Sequence, residues 1–239
     1  MGRYSVPLAS RFAEFAGVTA GQRVLDVGCG PGALTGELVR RLGPAAVCAV
    51  DPSEQFVEAV RDRYAGVRTR RGSAEALPFE DALFEVTLAQ LVVHFMADPV
   101  IGLGEMARVT TPGGTVAACV WDHAGGSGPL HLFWEAAREV DPDVEDESAL
   151  AGARSGHLAS LLAAAGVREV QASSLTVAVE HHSFEEWWQP YMLGVGPAGS
   201  FVAQLNPERQ ARLRELCRER LPPSPFVVSA TAWAARGLV

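Results

Sequence analysis

The stretch Val24-Leu25-Asp26-Val27-Gly28-Cys29-Gly30-Pro31-Gly32 constrains this chain more than any other. A short apolar run is broken by three glycines in five residues, and Leu34, Leu38 and Leu42 then repeat at helical spacing until Gly43-Pro44. That order reads as buried strand, tight turn and helix. Glycines at such a turn let a ligand approach the backbone, and the helix start offers free N–H groups. Asp26 lies within the buried strand, where an unpartnered carboxylate is costly, so it needs a partner or a ligand. Gly28, Gly30 and Ala33 also satisfy the dinucleotide fingerprint G-x-G-x-x-G/A. Asp51 follows about 20 residues on, where a carboxylate would hold ribose hydroxyls. A second reading of Asp51 is compatible with the first: Asp51-Pro52-Ser53-Glu54 has the pattern of a helix N-cap, with Pro52 opening the helix and Glu54 third.

Strand-like and helix-like segments alternate beyond this point. Strands are expected over 46–50, 67–71, 84–88 and 115–120, and helices over 52–64 and 99–109, the latter capped by Asp98 ahead of Pro99. Such alternation means βαβ units, a parallel sheet and helices on both faces. After Trp121 the pattern loosens. Residues 141–147 form an acidic loop, 158–165 a helix ended by Gly166, 170–179 an alternating strand, 207–221 a charged helix and 226–235 a last strand. Residues 184–192 read as one helix with aromatic residues on two faces, Phe184, Trp188 and Met192 on one and Trp187 and Tyr191 on the other. It is either a helix buried on both sides or a lid over a pocket, with Gly194, Gly196 and Gly199 as hinges. No repeat, low-complexity tract or linker interrupts the chain.

Composition removes several function classes. The 239 residues carry a net charge of −8, and an acidic surface repels phosphate backbones, so nucleic acid is not the expected partner. All 20 basic residues are arginine, which excludes a Schiff-base, P-loop or general-base lysine. Cys29, Cys48, Cys119 and Cys217 have no CxxC or metal-ligand spacing, so no metal site is expected and a reducing, cytoplasmic setting is. Residues 1–6 lack the apolar segment of a signal peptide, Val6 stands where a myristoylation site needs Ser or Thr, and no apolar run is long enough to span a membrane.

The motifs taken together resemble the class I S-adenosylmethionine-dependent methyltransferases, in particular the small-molecule branch that includes the ubiquinone and menaquinone biosynthesis enzymes. Residues 24–32 look like their first motif and Ala49-Val50-Asp51-Pro52-Ser53 like their second. Gly72-Ser73-Ala74-Glu75-Ala76-Leu77-Pro78-Phe79 resembles their adenine-binding stretch, with Ser73 standing where aspartate is usual. Residues 84–95 resemble their fourth strand, and Arg108-Val109-Thr110-Thr111-Pro112-Gly113-Gly114 the turn before the fifth. The likeness is specific over 20–122 and looser beyond, although 184–200 is similar to a bacterial group of the same superfamily.

The resemblance implies a doubly wound, Rossmann-like α/β fold: a mostly parallel seven-stranded sheet, an antiparallel last strand and a helical insertion. It implies one domain over 1–239, with a helical N-terminal cover (1–20), a cofactor half (21–122) and an acceptor half (123–239) interrupted near 181–206. It implies S-adenosylmethionine as cofactor. Gly28, Gly30 and Gly32 would line its methionine end and Asp26 would orient its ammonium or the loop around it. Asp51 would take the ribose with Pro52 and Ser53 beside it, and Ser73 and the Ala74 N–H the adenine. Gln90 would face the methionine portion, and Tyr4 or Arg11 would cover the carboxylate. The acceptor, a small molecule apolar or aromatic in part, would lie outside the carboxyl ends of the strands. Tyr4, Trp121, Trp187 and Trp188 are expected to wall its pocket, and His94 and His123 are the candidate catalytic bases, each with a packed-core role as its alternative. His181 and His182 read as exposed hinge residues. Two other functions share the glycine turn: a nicotinamide-dependent oxidoreductase and a non-catalytic S-adenosylmethionine-binding protein.

Overall fold

A computed structural model describes residues 2–239. The strands are β1 (Val24–Val27), β2 (Val47–Asp51), β3 (Arg68–Arg71), β4 (Phe84–Gln90), β5 (Thr110–Trp121), β6 (Arg168–His181) and β7 (Phe226–Leu238). They form one sheet in the order β3-β2-β1-β4-β5-β7-β6. Pairing is parallel from β3 to β5, and β7 runs antiparallel to both β5 and β6. The expected mostly parallel sheet with an antiparallel last strand is present. Strand order reverses between β1 and β4, which opens a crevice at the carboxyl ends of those strands.

Helices cover both faces, because alternate side chains of each buried strand point to opposite sides. On one face α1 (Gly2–Phe15), α2 (Ala33–Leu42), α5 (His131–Val140) and α9 (Pro207–Arg220) pack on Val24, Ala49, Leu88, Ala117, Cys119 and Trp121. On the other, α4 (Pro99–Val109) and α6 (His157–Ala164) pack on Leu25, Val27, Val50, Ala89, Ala118 and Val120. The Asp98 carboxylate caps α4 as expected, accepting from Val100 N and Ile101 N at 3.0 Å. The Pro112-Gly113-Gly114 turn lies inside β5, as an irregularity in its pairing with β4. A Cβ at Gly114 would meet backbone oxygens at 2.8 Å, so only glycine fits there.

Three expectations are corrected. The helix α3 (Glu54–Arg63) begins later than the cap reading placed it: Asp51 is the last residue of β2, and Ser53 is the residue before the helix. The aromatic helix stops early, at α7 (Phe184–Trp188), because Pro190 cannot donate to a continuing helix; a 3₁₀ turn follows and leaves Met192 exposed. Gly196 and Gly199 belong to a helix, α8 (Gly196–Gln204), not to hinges. Gly199 is glycine for packing: a Cβ there would meet the Gly194 backbone at 2.9 Å. Both α5 and α8 escaped the sequence pattern.

Candidate active site

The glycine turn is fastened to the end of β2. Gly28 N and Cys29 N donate to Val50 O at 2.8 and 3.1 Å. The Asp51 carboxylate accepts from Gly30 N at 2.9 Å and from Ser53 N at 2.8 Å. Asp51 thus ties the first turn to the start of α3. Gly28, Gly30 and Gly32 all have positive φ, which L side chains adopt with strain. A Cβ at Gly28 would strike Val92, whereas at Gly30 it would meet nothing within 4 Å and enter open space. Asp26 is buried; its carboxylate accepts from Thr35 Oγ1 of α2 at 2.6 Å. Burial pushes its pKa up to about 7, and the nearby Asp51 charge adds to that rise.

These residues open onto a cleft of about 520 Å³ at the crevice between β1 and β4. Of the residues expected to bind cofactor, Asp26, Gly28, Gly30, Asp51, Pro52 and Gln90 line it. Gly32, Ser53, Ser73 and Ala74 lie outside that lining. Gly32 instead packs against the Tyr64 ring, 2.9 Å from where its Cβ would be, and Ala74 is buried against the α4 face of the sheet. Gln90 Nε2 donates to Ser5 O of α1 at 3.0 Å, while its buried Oε1 has no protein partner. Arg11 is exposed and does not reach the cleft, and Tyr4 lines a different cavity. The sequence reading missed Val6, Phe56 and Phe95, which form an exposed apolar rim, and Arg63. It also missed Leu91, whose φ of 62° is an uncommon strain directly on the cleft wall. No periodicity marks these residues, since they come from separate elements and the loop after β4.

The acceptor-side residues divide further. His94 and His123 meet at the ends of β4 and β5, with ring centroids 6.0 Å apart. Burial drives their pKa values down, to about 3 and about 4, and none of their four ring nitrogens has a hydrogen-bond partner. His123 Nδ1 lies 3.8 Å from Glu147, which accepts from Trp134 Nε1. Among the described residues no group of His, Cys, Asp and Glu is placed to hold a metal ion. Trp121 is fully buried, its ring 6.3 Å from that of Tyr4. Trp188 is buried against Phe184, with Arg214 and Arg218 over the Phe184 ring. Trp187 and Tyr4 line a second cavity of about 290 Å³, together with His181, Glu186, Pro190 and Tyr191. His181 is therefore no exposed hinge: it is 3% accessible and its Nε2 lies 3.0 Å from the Tyr4 hydroxyl. All the unpartnered buried side-chain atoms among the described residues belong to Gln90, His94, Trp121, His123 and His181, at or just past the carboxyl ends of β4, β5 and β6.

The sheet order is Rossmann-like, with the glycine-turn cleft at the point where the strand order reverses, and comparison with known proteins finds methyltransferases. Residues 25–118 match the methyltransferase domain family. The chain is 35% identical over 123 residues to a malonyl-[acyl-carrier protein] O-methyltransferase of Erwinia pyrifoliae, covering 46% of each chain. It is 36% identical over 104 residues to a demethylmenaquinone methyltransferase of Staphylococcus aureus, covering 42% of this chain and 43% of the relative. The chain thus spans under half the length of these curated relatives. Its whole fold is similar to that of the YcgJ protein of Bacillus subtilis, with a TM-score of 0.63, 18% identity and 97% of each chain covered. The methyltransferase match implies S-adenosylmethionine as cofactor, and the cleft fits it. Two buried carboxylates line one space, suited to an ammonium and to ribose hydroxyls, and Gly30 leaves that space open.

Proposed function

We propose that this protein transfers a methyl group from S-adenosylmethionine to a small acceptor that is apolar or aromatic in part. The observation that carries the reading is the convergence of Asp26 and Asp51 on the glycine-turn cleft. A dinucleotide would set its anionic pyrophosphate at this turn, beside the Asp26 carboxylate, and like charges there repel. A zwitterion with an ammonium and a ribose meets complementary charge instead. Asp26 holds the ammonium end, Asp51 and Pro52 the ribose, and Gln90 the methionine portion from the β4 side. Ser73 and Ala74 serve the adenine. The bound cofactor supplies an electrophilic methyl on a sulfonium; the chain supplies orientation and exclusion of water.

The acceptor lies at the carboxyl ends of β4 to β6, under α1 and α7. The apolar rim of Val6, Phe56 and Phe95 and the aromatic wall of Trp187 and Tyr191 support an apolar or aromatic acceptor, and a demethylmenaquinone methyltransferase among the relatives is consistent with one. His94 and His123, with their unspent ring nitrogens, stand just past the carboxyl ends of β4 and β5. Four buried, unpaired cysteines suit a reducing cytoplasm. Calorimetry should show binding of S-adenosylmethionine and its demethylated product and none of NAD; mass spectrometry of acceptors incubated with the first should show the gain of one methyl group. Tight NAD binding, or cofactor binding with no transfer to any acceptor, would sink the proposal.

A further inference from the structure

Tyr4 and His181 lie on elements far apart in the chain, the first turn of α1 and the last residue of β6, yet they form a buried pair inside the second cavity. Tyr4 Oη and His181 Nε2 are 3.0 Å apart, and both residues line the cavity of about 290 Å³. The Tyr4 ring sits edge-on to Trp121 at 6.3 Å, and the His181 ring stacks on Phe226 at 5.5 Å, so packing fixes both planes. His181 Nδ1 is buried with no partner, which leaves the pair one unspent hydrogen-bonding position. With Nε2 facing the Tyr4 hydroxyl, a ring proton carried on Nδ1 leaves Nε2 as the basic nitrogen of the pair. Gly2 lines both this cavity and the cofactor cleft, so the two adjoin at the start of α1. Arg3 and Glu186 also line the cavity, and its other walls are apolar or aromatic, among them Leu130, Trp187 and Tyr191. At this volume, near the lower limit for ligand pockets, the cavity admits roughly one or two rings.

Resting on the reading above, we infer that Tyr4 and His181 are a proton-accepting pair for an ionisable hydroxyl on a flat aromatic acceptor, so that the methyl group is placed on oxygen. The acceptor hydroxyl hydrogen-bonds Tyr4 Oη. As its oxygen lone pair forms the new C–O bond, the C–S bond of the donor breaks and its electron pair stays on sulfur. The hydroxyl proton passes to Tyr4 Oη while the Tyr4 proton passes to His181 Nε2, which is left as an imidazolium and later yields that proton to water. Tyr4 is the catalytic residue, and His181 acts through it. The charge states agree with these roles. Desolvation raises the Tyr4 pKa to about 12, so the phenol is neutral and able to relay. Burial lowers that of His181, so the ring is a free base at neutral pH. The groups facing the ring are Arg3 on α1, which adds to that lowering, Glu186 on α7, which opposes it, and the neutral Tyr191 phenol. Arg3 and Glu186 pair with each other at 2.5 Å across the cavity and largely cancel.

The test uses the intact protein with 2-naphthol and 2-naphthylamine as acceptors, comparing wild type with Tyr4→Phe, His181→Ala and His181→Gln. Glutamine can still accept from Tyr4 but is no base, so it separates chemistry from folding; melting temperatures confirm that each variant is folded. S-Adenosylmethionine affinity should stay within about 3-fold in all. Calorimetry should show 2-naphthol binding weakened several-fold by Tyr4→Phe. Transfer to 2-naphthol should fall roughly 100-fold or more in kcat for Tyr4→Phe and His181→Gln, in the range of general-base losses. The wild-type rate should rise with pH through a limb below the ordinary histidine value, and that limb should vanish in His181→Gln. Equal O-methylation by the variants, methylation of the amine alone, or no transfer to 2-naphthol by a protein that binds S-adenosylmethionine would each overturn the pair's role. Failure to bind S-adenosylmethionine at all would instead overturn the methyltransferase reading.

Discussion

At the scale of single residues, the most consequential side chain is Asp51. Its two oxygens accept from Gly30 N and Ser53 N, so one carboxylate holds both the glycine turn and the entry to α3. The same oxygens face the cleft, where ribose hydroxyls would compete for them. Asp51→Ala removes charge-assisted bonds that contribute about 1.5–3 kcal/mol each where the group is buried. Cofactor affinity, measured by calorimetry, should fall at least tenfold, and the melting temperature should drop as the glycine turn loosens. Asp51→Asn, which keeps one acceptor oxygen, should lie between. Loss of stability with full cofactor affinity would leave Asp51 a purely structural tie. Asp26 differs: its partner is a hydroxyl, Thr35 Oγ1, and its burial makes ionisation costly, so it depends on what enters the cleft.

At the scale of elements, the half over 21–122 was legible because local signals agree there. The run from Val24 to Gly32, the stop at Gly43-Pro44 and the Asp98-Pro99 cap each announce an element whose neighbours announce the same fold. The half over 123–239 was not, since β6 and β7 pair as a hairpin whose connection over 182–225 holds three helices. Nothing in a 3.6-residue period says that the aromatic stripe ends at Trp188, or that β6 delivers His181 to Tyr4, 177 residues away. Pro190 decided the first and tertiary burial the second. It also separates two tryptophans that are adjacent in sequence. Trp187 lines the second cavity, whereas Trp188 stacks on Phe184 within the core. Trp188→Ala should therefore cost about 3–5 kcal/mol by denaturant unfolding and depress cofactor binding and turnover together. Trp187→Phe, a smaller change at the wall, should raise the acceptor KM with cofactor affinity within a few-fold. The reverse ranking would make Trp187 the core residue and close the cavity as an acceptor site.

At the scale of the whole molecule, the buried ionisable groups at the sheet's carboxyl edge should shape stability against pH in opposite directions. His94 and His123 are held neutral, with folded values of about 3 and about 4 against the ordinary 6.5. Between 6.5 and these values the unfolded chain binds protons that the folded chain does not, so stability falls as pH drops. Asp26 works the other way. Its folded value of about 7 lies above the ordinary 3.8, so between about 7 and 4 the folded chain binds the extra proton and stability rises as pH drops. The two effects overlap over the same acid range and partly cancel, which makes the wild-type profile uninformative alone. Single variants separate them. His94→Leu, similar in volume and unable to titrate, should raise the urea midpoint at pH 4.5 relative to that at pH 7, compared with wild type. Asp26→Asn should do the opposite and steepen the acid loss, because it removes the only stabilising proton uptake among the three. If His94→Leu leaves the pH 4.5 to pH 7 difference unchanged, that ring is solvated in the folded state, and the carboxyl end of β4 is open to water rather than sealed.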